Sequence, residues 1–414
     1  MKNIFSKRFK NLMFFLGVIG PGLITVNAGN DAGGIATYAA VGASYGYKML
    51  WGLLLITFSL GVIQEMNARM AVVTGKGLSD LIRERFGVKL TFFAITVLLV
   101  ANFGVILGDF AGVAASMELF GISKFISVPF VAIAIWFLVT KGSYNKVEKI
   151  FLLFTFVFFG YIIASFLAKP DWGNVFKQMT VPTLEMNTGF LLAFIGMIGT
   201  TITPYMQFYL QSSIVDKRLT LDEYKYEKLD VYLGAFWGNA VSFFIIVCTA
   251  ATLYKTGVSI TSAQDAASAL RPFAGQYAFV LFGVGLFGAS VLAASIIPLS
   301  TAYAICEAFG WESGINNKIS EAPAFFGIYL TLILLGSLLI LIPGISLIQL
   351  ILVTQQIAGI LVPVILVFMI FIVNDQAIMG EYKNTPLQNG ISWITVVFII
   401  FLSLVMLISP LFNH

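Results

Sequence analysis

Apolar positions in this chain do not alternate with polar ones. They collect in long blocks, and the short stretches between the blocks hold nearly all the charge. About 20 apolar residues in a helix cross the hydrocarbon core of a bilayer. The pattern predicts eleven spans, at about 12–39, 47–72, 89–117, 126–140, 145–168, 188–214, 230–254, 276–307, 323–343, 345–373 and 392–412. The fourth is short, and only Pro343-Gly344 parts the ninth from the tenth.

Two of these spans are interrupted. In the first, Asn27-Ala28-Gly29-Asn30-Asp31-Ala32-Gly33-Gly34 puts three glycines and two asparagines into eight residues, all poor helix formers. In the sixth, GMIGTTITPYM from Gly196 to Met206 carries Gly199, a threonine pair and Pro204, which weaken a helix near mid-membrane. Broken spans at matching places in two halves point to an inverted repeat with the site where the breaks meet. The repeats would be spans one to five, about 12–168, and six to ten, about 188–373, with an extra helix at about 392–412. Irregular backbone survives at that depth only where it lines a cavity or is buried in protein. The expected fold is therefore one all-α integral membrane domain over 1–414, with eleven transmembrane helices, of which the first and sixth are discontinuous.

Composition agrees with the pattern. Of 414 residues, 59% are hydrophobic and 11% charged, against about 25% charged in soluble proteins. Orientation follows from Lys and Arg placement. With the N-terminus inside, cytoplasmic segments hold Lys2, Lys7, Arg8 and Lys10, then Lys76, Arg83, Arg85 and Lys89, then Lys141, Lys146 and Lys149. Lys217, Arg218, Lys225, Lys228, Lys318 and Lys383 complete the set, and the outer side keeps Lys48, Lys124, Lys169, Lys177, Lys255 and Arg271. The bias expects a multi-pass protein of the plasma membrane with a cytoplasmic N-terminus, and the odd span count puts the C-terminus outside. The apolar run after Met1–Asn11 is too long for a signal-peptide core and is read as a retained span.

Cys248 and Cys306 sit in apolar segments as packing residues, and the only histidine is His414. There is no nucleophile–base constellation, P-loop, Cys-rich metal motif or cofactor fingerprint. That argues against an enzyme, an ATP-driven pump, a resident cofactor and a nucleic-acid partner. The partners expected are the lipid bilayer and a metal ion as substrate.

The candidate chemistry begins with Asp31. An acid at bilayer depth costs about 2.5–3.5 kcal/mol on insertion scales, so it needs a compensating partner. The favoured reading is a ligand for a divalent cation. The rival, an ion pair with another span, lacks a partner, because Arg69, near a cytoplasmic end, is the only basic residue well inside a span. For Asp109, in LGDFAG of the third span, two readings stay open: a proton acceptor or second charge along the ion path, and a hydrogen-bonded structural acid in a glycine-rich seam. Glu65 and Arg69 lie four apart on one helix face, and a structural ion pair is favoured over a gate on the path. Gln355 offers an oxygen ligand or an interhelical hydrogen bond; Gln356 points elsewhere and takes the second reading. Thr200, Thr201 and Thr203 offer hydroxyls and, at a break, free carbonyls, though threonines often bond back to their own helix.

The segment GPGLITVNAGNDAGGIATYAAVG resembles the first span of the Nramp family of divalent-metal transporters. That family carries Asp-Pro-Gly-Asn at its break, where this chain reads Asp31-Ala32-Gly33-Gly34. The likeness continues through Arg69 and the VVTG ending at Gly75, GDFAG around Asp109, GTTITPYMQFYLQSSIVDKR in the sixth span, and Gln355 eight residues before Pro363. It implies a LeuT-like 5+5 inverted repeat, alternating access, and a metal site of Asp31, Thr203 and Gln355 with the carbonyls of Ala28 and Thr200. The departures matter: the family's binding Met is Thr203 here, its site Asn is Gly34, the His after its Pro is Tyr205, and a second acid in the third span is Gly112. The pattern is similar to the Nramp-related branch associated with magnesium.

Thioethers favour softer metals, while carboxylate, carbonyl and water suit Mg²⁺, Ca²⁺ and Mn²⁺. Mg²⁺ dehydrates reluctantly and keeps several waters, and Gly34 and Thr203 leave room for them. The sequence therefore expects import of divalent cations, Mg²⁺ first with Mn²⁺ as a second cargo, weakly or not coupled to protons. Asp109, Tyr205, Glu65 and Arg69 are the candidates along an ion or proton path. The rivals are an organic-solute carrier on the same architecture and a membrane metal sensor without flux.

Overall fold

A computed structural model of the chain describes residues 22, 25–26, 29–141, 159–315 and 317–412. Every regular element among them is helical. The longer α-helices are α1 (Ala32–Tyr45), α2 (Leu50–Thr74), α3 (Leu78–Glu118), α4 (Lys124–Thr140), α5 (Phe159–Leu167), α6 (Trp172–Thr180), α7 (Thr188–Thr201), α8 (Pro204–Asp216), α9 (Tyr224–Thr249), α10 (Ala278–Phe309), α11 (Pro323–Ile340), α12 (Leu347–Val373) and α13 (Pro386–Phe412). Among the described residues, seven helical segments are long and apolar enough to cross a membrane, with α7 and α8 taken as one; α4 and Pro386–Leu402 are shorter apolar helices. The expected first and fifth spans lie partly outside the described residues, α1 and α5 being their described parts.

Both interruptions are present. Gly22, Thr25, Val26 and Gly29 are helical, Asn30 and Asp31 are not, and α1 starts only at Ala32. The helix of the expected sixth span stops at Thr201; Ile202 (φ −118°, ψ 68°) and Thr203 (φ −75°, ψ 143°) leave helical geometry, and Pro204 restarts it as α8. Proline suits the first helical position because its missing N–H is an orphan there in any case.

Other boundaries follow from local chemistry. Gly75 ends α2 in the left-handed region (φ 64°, ψ 22°) and donates to Ala71 O, as glycine does at a helix C-terminus. Inside α3, Gly87 (φ 73°, ψ 177°) kinks the helix, so the span expected from about residue 89 is preceded by a helical arm, Leu78–Phe86. The turn around Pro343-Gly344 does separate α11 from α12, with Gly344 at φ 82°. The short helix α6, capped by Asp171 accepting from Asn174 N at 3.1 Å, lies outside the expected spans.

The centre of the molecule is α3, which packs along both α10 and α12, while α9 packs on α2 and α1, and α7 crosses α12. Small residues set these approaches. A Cβ on Gly199 of α7 would overlap Gln355 O and stand 2.8 Å from Gly359 Cα of α12. That close crossing brings Gln355 level with both breaks.

Candidate metal site

Asp31 is the N-cap of α1: its Oδ1 accepts from Gly34 N at 2.7 Å. It is 2% exposed. A cap of this kind satisfies one of the orphan N–H groups at a helix start, so the half-helix holds its own carboxylate at the break. Other oxygens converge on the same place. A Cβ on Gly34 would stand 2.6 Å from Gly29 O, 3.4 Å from Thr200 Oγ1 and 3.6 Å from Asp31 Oδ1. Any larger residue at 34 would fill the space these three atoms enclose. Across the gap, the Gln355 side chain lies directly over Gly33, where a Cβ would overlap its Nε2 and Cδ.

The polar atoms around these breaks are starved of partners. Thr200 Oγ1, Thr203 Oγ1, Tyr205 OH, Gln355 Oε1 and Nε2, and both carboxylate oxygens of Asp109 are buried without a hydrogen-bond partner. Asp109 lies beside the start of α1, near Ala32 N and within electrostatic reach of Asp31, and Tyr205 is within electrostatic reach of both acids. Each buried unsatisfied group costs about 1–3 kcal/mol, and such groups in a native protein call for an unseen water or ion. Six of the seven atoms are oxygens, joined by Asp31 and the Gly29 carbonyl. That donor set suits a hard divalent cation, with two carboxylates to balance two charges. No group of three or more His, Cys, Asp or Glu gathers among the described residues, so a cation held here would need neutral oxygens as well.

The remaining sequence candidates separate. Ala28 lies outside the described residues. Thr200 turns both its hydroxyl and its carbonyl toward the first break. Thr201 instead ties α7 to α1: it donates to Met197 O at 2.6 Å and accepts from Tyr38 OH at 2.7 Å. Gln356 packs against α7 at Gly196. Glu65 and Arg69 form a buried ion pair at 3.1 Å. Arg69 also donates to Tyr382 O at 2.5 Å and to Asn384 Oδ1 at 2.6 Å; Glu65 accepts from Tyr224 OH and, at 3.2 Å, from Gln388 Nε2. None of these partners belongs to the breaks.

Three further features shape the breaks. Asn30 anchors the first break to α9, donating to Gly238 O at 3.4 Å and accepting from Ser242 Oγ at 3.3 Å. Gln207 donates to Thr203 O at 3.3 Å and accepts from Asn67 Nδ2 at 2.5 Å, bracing the second break against α2. The four-residue spacing of Thr203, Gln207 and Gln211 in an apolar stretch was a readable signal for this polar face. Met206 is the third; its side chain lies against Gly29.

Comparison with known proteins supplies the context. A family described as Nramp, natural resistance-associated macrophage protein-like, matches residues 22–409. The divalent metal cation transporter MntH of Bacillus subtilis is 26% identical over 416 residues, covering 97% of this chain and 93% of that protein. MntH of Caldanaerobacter subterraneus is 25% identical over 422 residues, covering 97% and 96%. The crystal structure of the Eremococcus coleocola manganese transporter, in complex with an aromatic bis-isothiourea substituted compound, superposes with a TM-score of 0.76 at 20% identity, covering 94% of this chain and 86% of that one. MHP1, a nucleobase-cation-symport-1 family transporter, reaches 0.59 at 14% identity, covering 94% and 91%. At these identities the superpositions speak for the fold.

Proposed function

The chain belongs to the Nramp family, and on that premise we propose that it is a secondary transporter or facilitator that carries divalent metal cations into the cell by alternating access. Mg²⁺ is the favoured cargo and Mn²⁺ the second. The observation that carries this reading is the set of unpartnered oxygens around Asp31 and Asp109 at the two breaks. In this reading Asp31 meets the ion directly or through water, the carbonyls of Ala28 and Thr200 face it from the two breaks, and Thr203 and Gln355 complete the shell. Gly34 leaves room for retained water, which Mg²⁺ gives up reluctantly. The names of the relatives support divalent metals, and manganese in particular; the case for Mg²⁺ rests on Thr203 and Gly34.

The ion needs no partner to be accumulated. Two charges crossing 100 mV gain about 4.6 kcal/mol, from about 2.3 kcal/mol per charge. At about 1.36 kcal/mol per decade, that supports a gradient of about a thousandfold. Uptake is accordingly weakly or not proton-coupled. The N-terminus is cytoplasmic from the distribution of Lys and Arg, and an odd number of spans puts the C-terminus outside.

The organic-solute alternative is disfavoured by one contact. A carrier of amino acids would use the α1 N-terminus to hold its substrate's carboxylate, and here Asp31 already accepts from Gly34 N. The test is flux of Mg²⁺, Mn²⁺ and Ca²⁺ into proteoliposomes with and without a pH gradient. Divalent uptake driven by an inside-negative potential and indifferent to the pH gradient is expected. No flux of any divalent ion would refute the reading, and would leave the sensor alternative standing.

A further inference from the structure

We propose that the Glu307 carboxylate, with Gln211 Oε1 and Ser79 Oγ, forms a second divalent-cation position at the cytoplasmic end of α8, through which the cargo leaves the breaks. The inference rests on the transport reading above and adds a site to it. Its first support is a polar track. Thr203, Gln207 and Gln211 recur every four residues from the cap of α8 onward, and so share one face of the half-helix. All three are buried. At about 1.5 Å per residue, the track runs about 12 Å from Thr203 to Gln211. On α2, Asn67 donates to Gln207 Oε1 and leaves its own Oδ1 buried without a partner.

The track ends on a group of unpartnered oxygens. Gln211 Nε2 donates to Lys76 O at 2.9 Å, in the turn between α2 and α3, and Gln211 Oε1 is buried without a partner. From α10, the Glu307 carboxylate reaches the next residue of that turn: a Cβ on Gly77 would stand 2.1 Å from Glu307 Oε2 and 2.6 Å from Oε1. Gly77 has extended backbone that any residue adopts (φ −69°, ψ 162°), so it is the carboxylate that demands glycine there. Glu307 Oε1 accepts from Ser212 Oγ of α8 at 2.6 Å, while Oε2 is buried and unpartnered. Ser79 brings its N–H to the same carboxylate, and its own hydroxyl is buried and unpartnered. Such orphans call for an unseen water or ion. The charges within electrostatic reach of Glu307 are two more acids, Asp80 and Asp216. The bases of this region are engaged elsewhere, Lys76 Nζ with Glu84 Oε1 at 2.6 Å and Arg83 Nη1 with Ala308 O at 3.0 Å. Asp216, which accepts from Tyr303 OH at 3.0 Å, is exposed one turn beyond Ser212, so the acids lead from the buried carboxylate toward water. One carboxylate, neutral oxygens and two acids nearby suit a hard divalent cation that keeps part of its water.

The bland alternative is that Glu307 only caps the start of α3 and ties α8 to α10. Glutamine can accept the same hydrogen bonds without the charge, so Glu307→Gln separates the two readings. Mn²⁺ bound to the purified full chain is counted by equilibrium dialysis, and Mn²⁺ flux is followed in proteoliposomes. Wild type is expected to bind two ions, Asp31→Asn one and Glu307→Gln one. Glu307→Gln is expected to melt as wild type does and to carry Mn²⁺ about tenfold more slowly. A single ion in wild type, or two ions and wild-type flux in Glu307→Gln, would overturn the proposal. If Glu307→Gln does not fold, Ser79→Ala in the Asp31→Asn chain decides, since removing an unpartnered buried hydroxyl breaks no hydrogen bond. About tenfold weaker binding of the remaining ion supports the site, and unchanged binding overturns it. Failure of the transport reading looks different: Asp31→Asn would then bind as many ions as wild type, while Glu307→Gln still loses one.

Discussion

Two of the buried polar clusters among the described residues are built in opposite ways. Around Glu65 and Arg69, each charged group meets others: guanidinium to carboxylate, to the Tyr382 carbonyl and to Asn384, and carboxylate to Tyr224 and Gln388. Around the breaks, Asp109, Thr200, Thr203, Tyr205 and Gln355 keep polar atoms with no partner. The first cluster is complete within the protein and fastens α2 to the start of α9, to the segment before α13 and to the first turn of α13. The second is complete only with something added. The contrast separates a structural charge from a functional one where burial alone cannot, since Glu65 and Asp31 are both deeply buried.

The largest expected effect breaks the complete cluster. Arg69→Leu leaves Glu65 buried and unpaired, a change that costs about 3–5 kcal/mol. Thermal melting of the purified protein should fall accordingly, and adding Glu65→Leu should restore most of the loss, because replacing both members of a buried pair is often neutral. Asp31→Asn attacks the incomplete cluster and should do the reverse. Asparagine still caps α1, so melting should hold, while Mn²⁺-driven quenching of a trapped fluorophore drops by about a hundredfold, or about 2.7 kcal/mol. Melting lowered as much as in Arg69→Leu would make Asp31 structural and erase the distinction. Thr203→Met should be milder. It adds a soft ligand to the starved side and should strengthen Cd²⁺ competition about fivefold, roughly 1 kcal/mol; no strengthening would remove the argument from softness.

The smallest effect is a control outside both clusters. Lys48 Nζ donates to Glu185 at 2.6 Å, and that hydrogen bond holds the Glu185 carboxyl below its ordinary range. A lowered acid contributes fully above its unfolded value and loses that contribution as pH falls through the lowered one. The acid limb of the melting curve should therefore flatten slightly in Glu185→Gln. Exposed pairs of this kind are worth about 0–1 kcal/mol, so flux at neutral pH should not change.

The sequence made the breaks legible because their cause is local. Glycine, asparagine and proline weaken a helix wherever they stand, and so the stops at Asn30-Asp31 and Ile202-Thr203 could be read without neighbours. Asp31 followed, since an acid in an apolar run is conspicuous; Thr200 and Thr203 carry a weak signal alone, and their proposed place at the site, like that of Gln355, leans on the family resemblance. The Glu65–Arg69 pair was legible from its spacing, but its partners Tyr224 and Gln388, 159 and 323 positions away from Glu65, were not. Met206 was hidden for the opposite reason: a methionine in an apolar helix looks like packing until the fold lays it on Gly29. The arm before Gly87 and the helix α6 were missed because neither is apolar enough to register as a span.

The central claim is that the unpartnered oxygens at the two breaks exist to hold a divalent cation. Anomalous scattering from crystals of the protein soaked in Mn²⁺ tests it most directly. A manganese peak between Asp31, Thr200, Thr203 and Gln355 that vanishes in Asp31→Asn is expected. A map with that space filled only by water or by a protein cation, and manganese bound elsewhere or not at all, would contradict it.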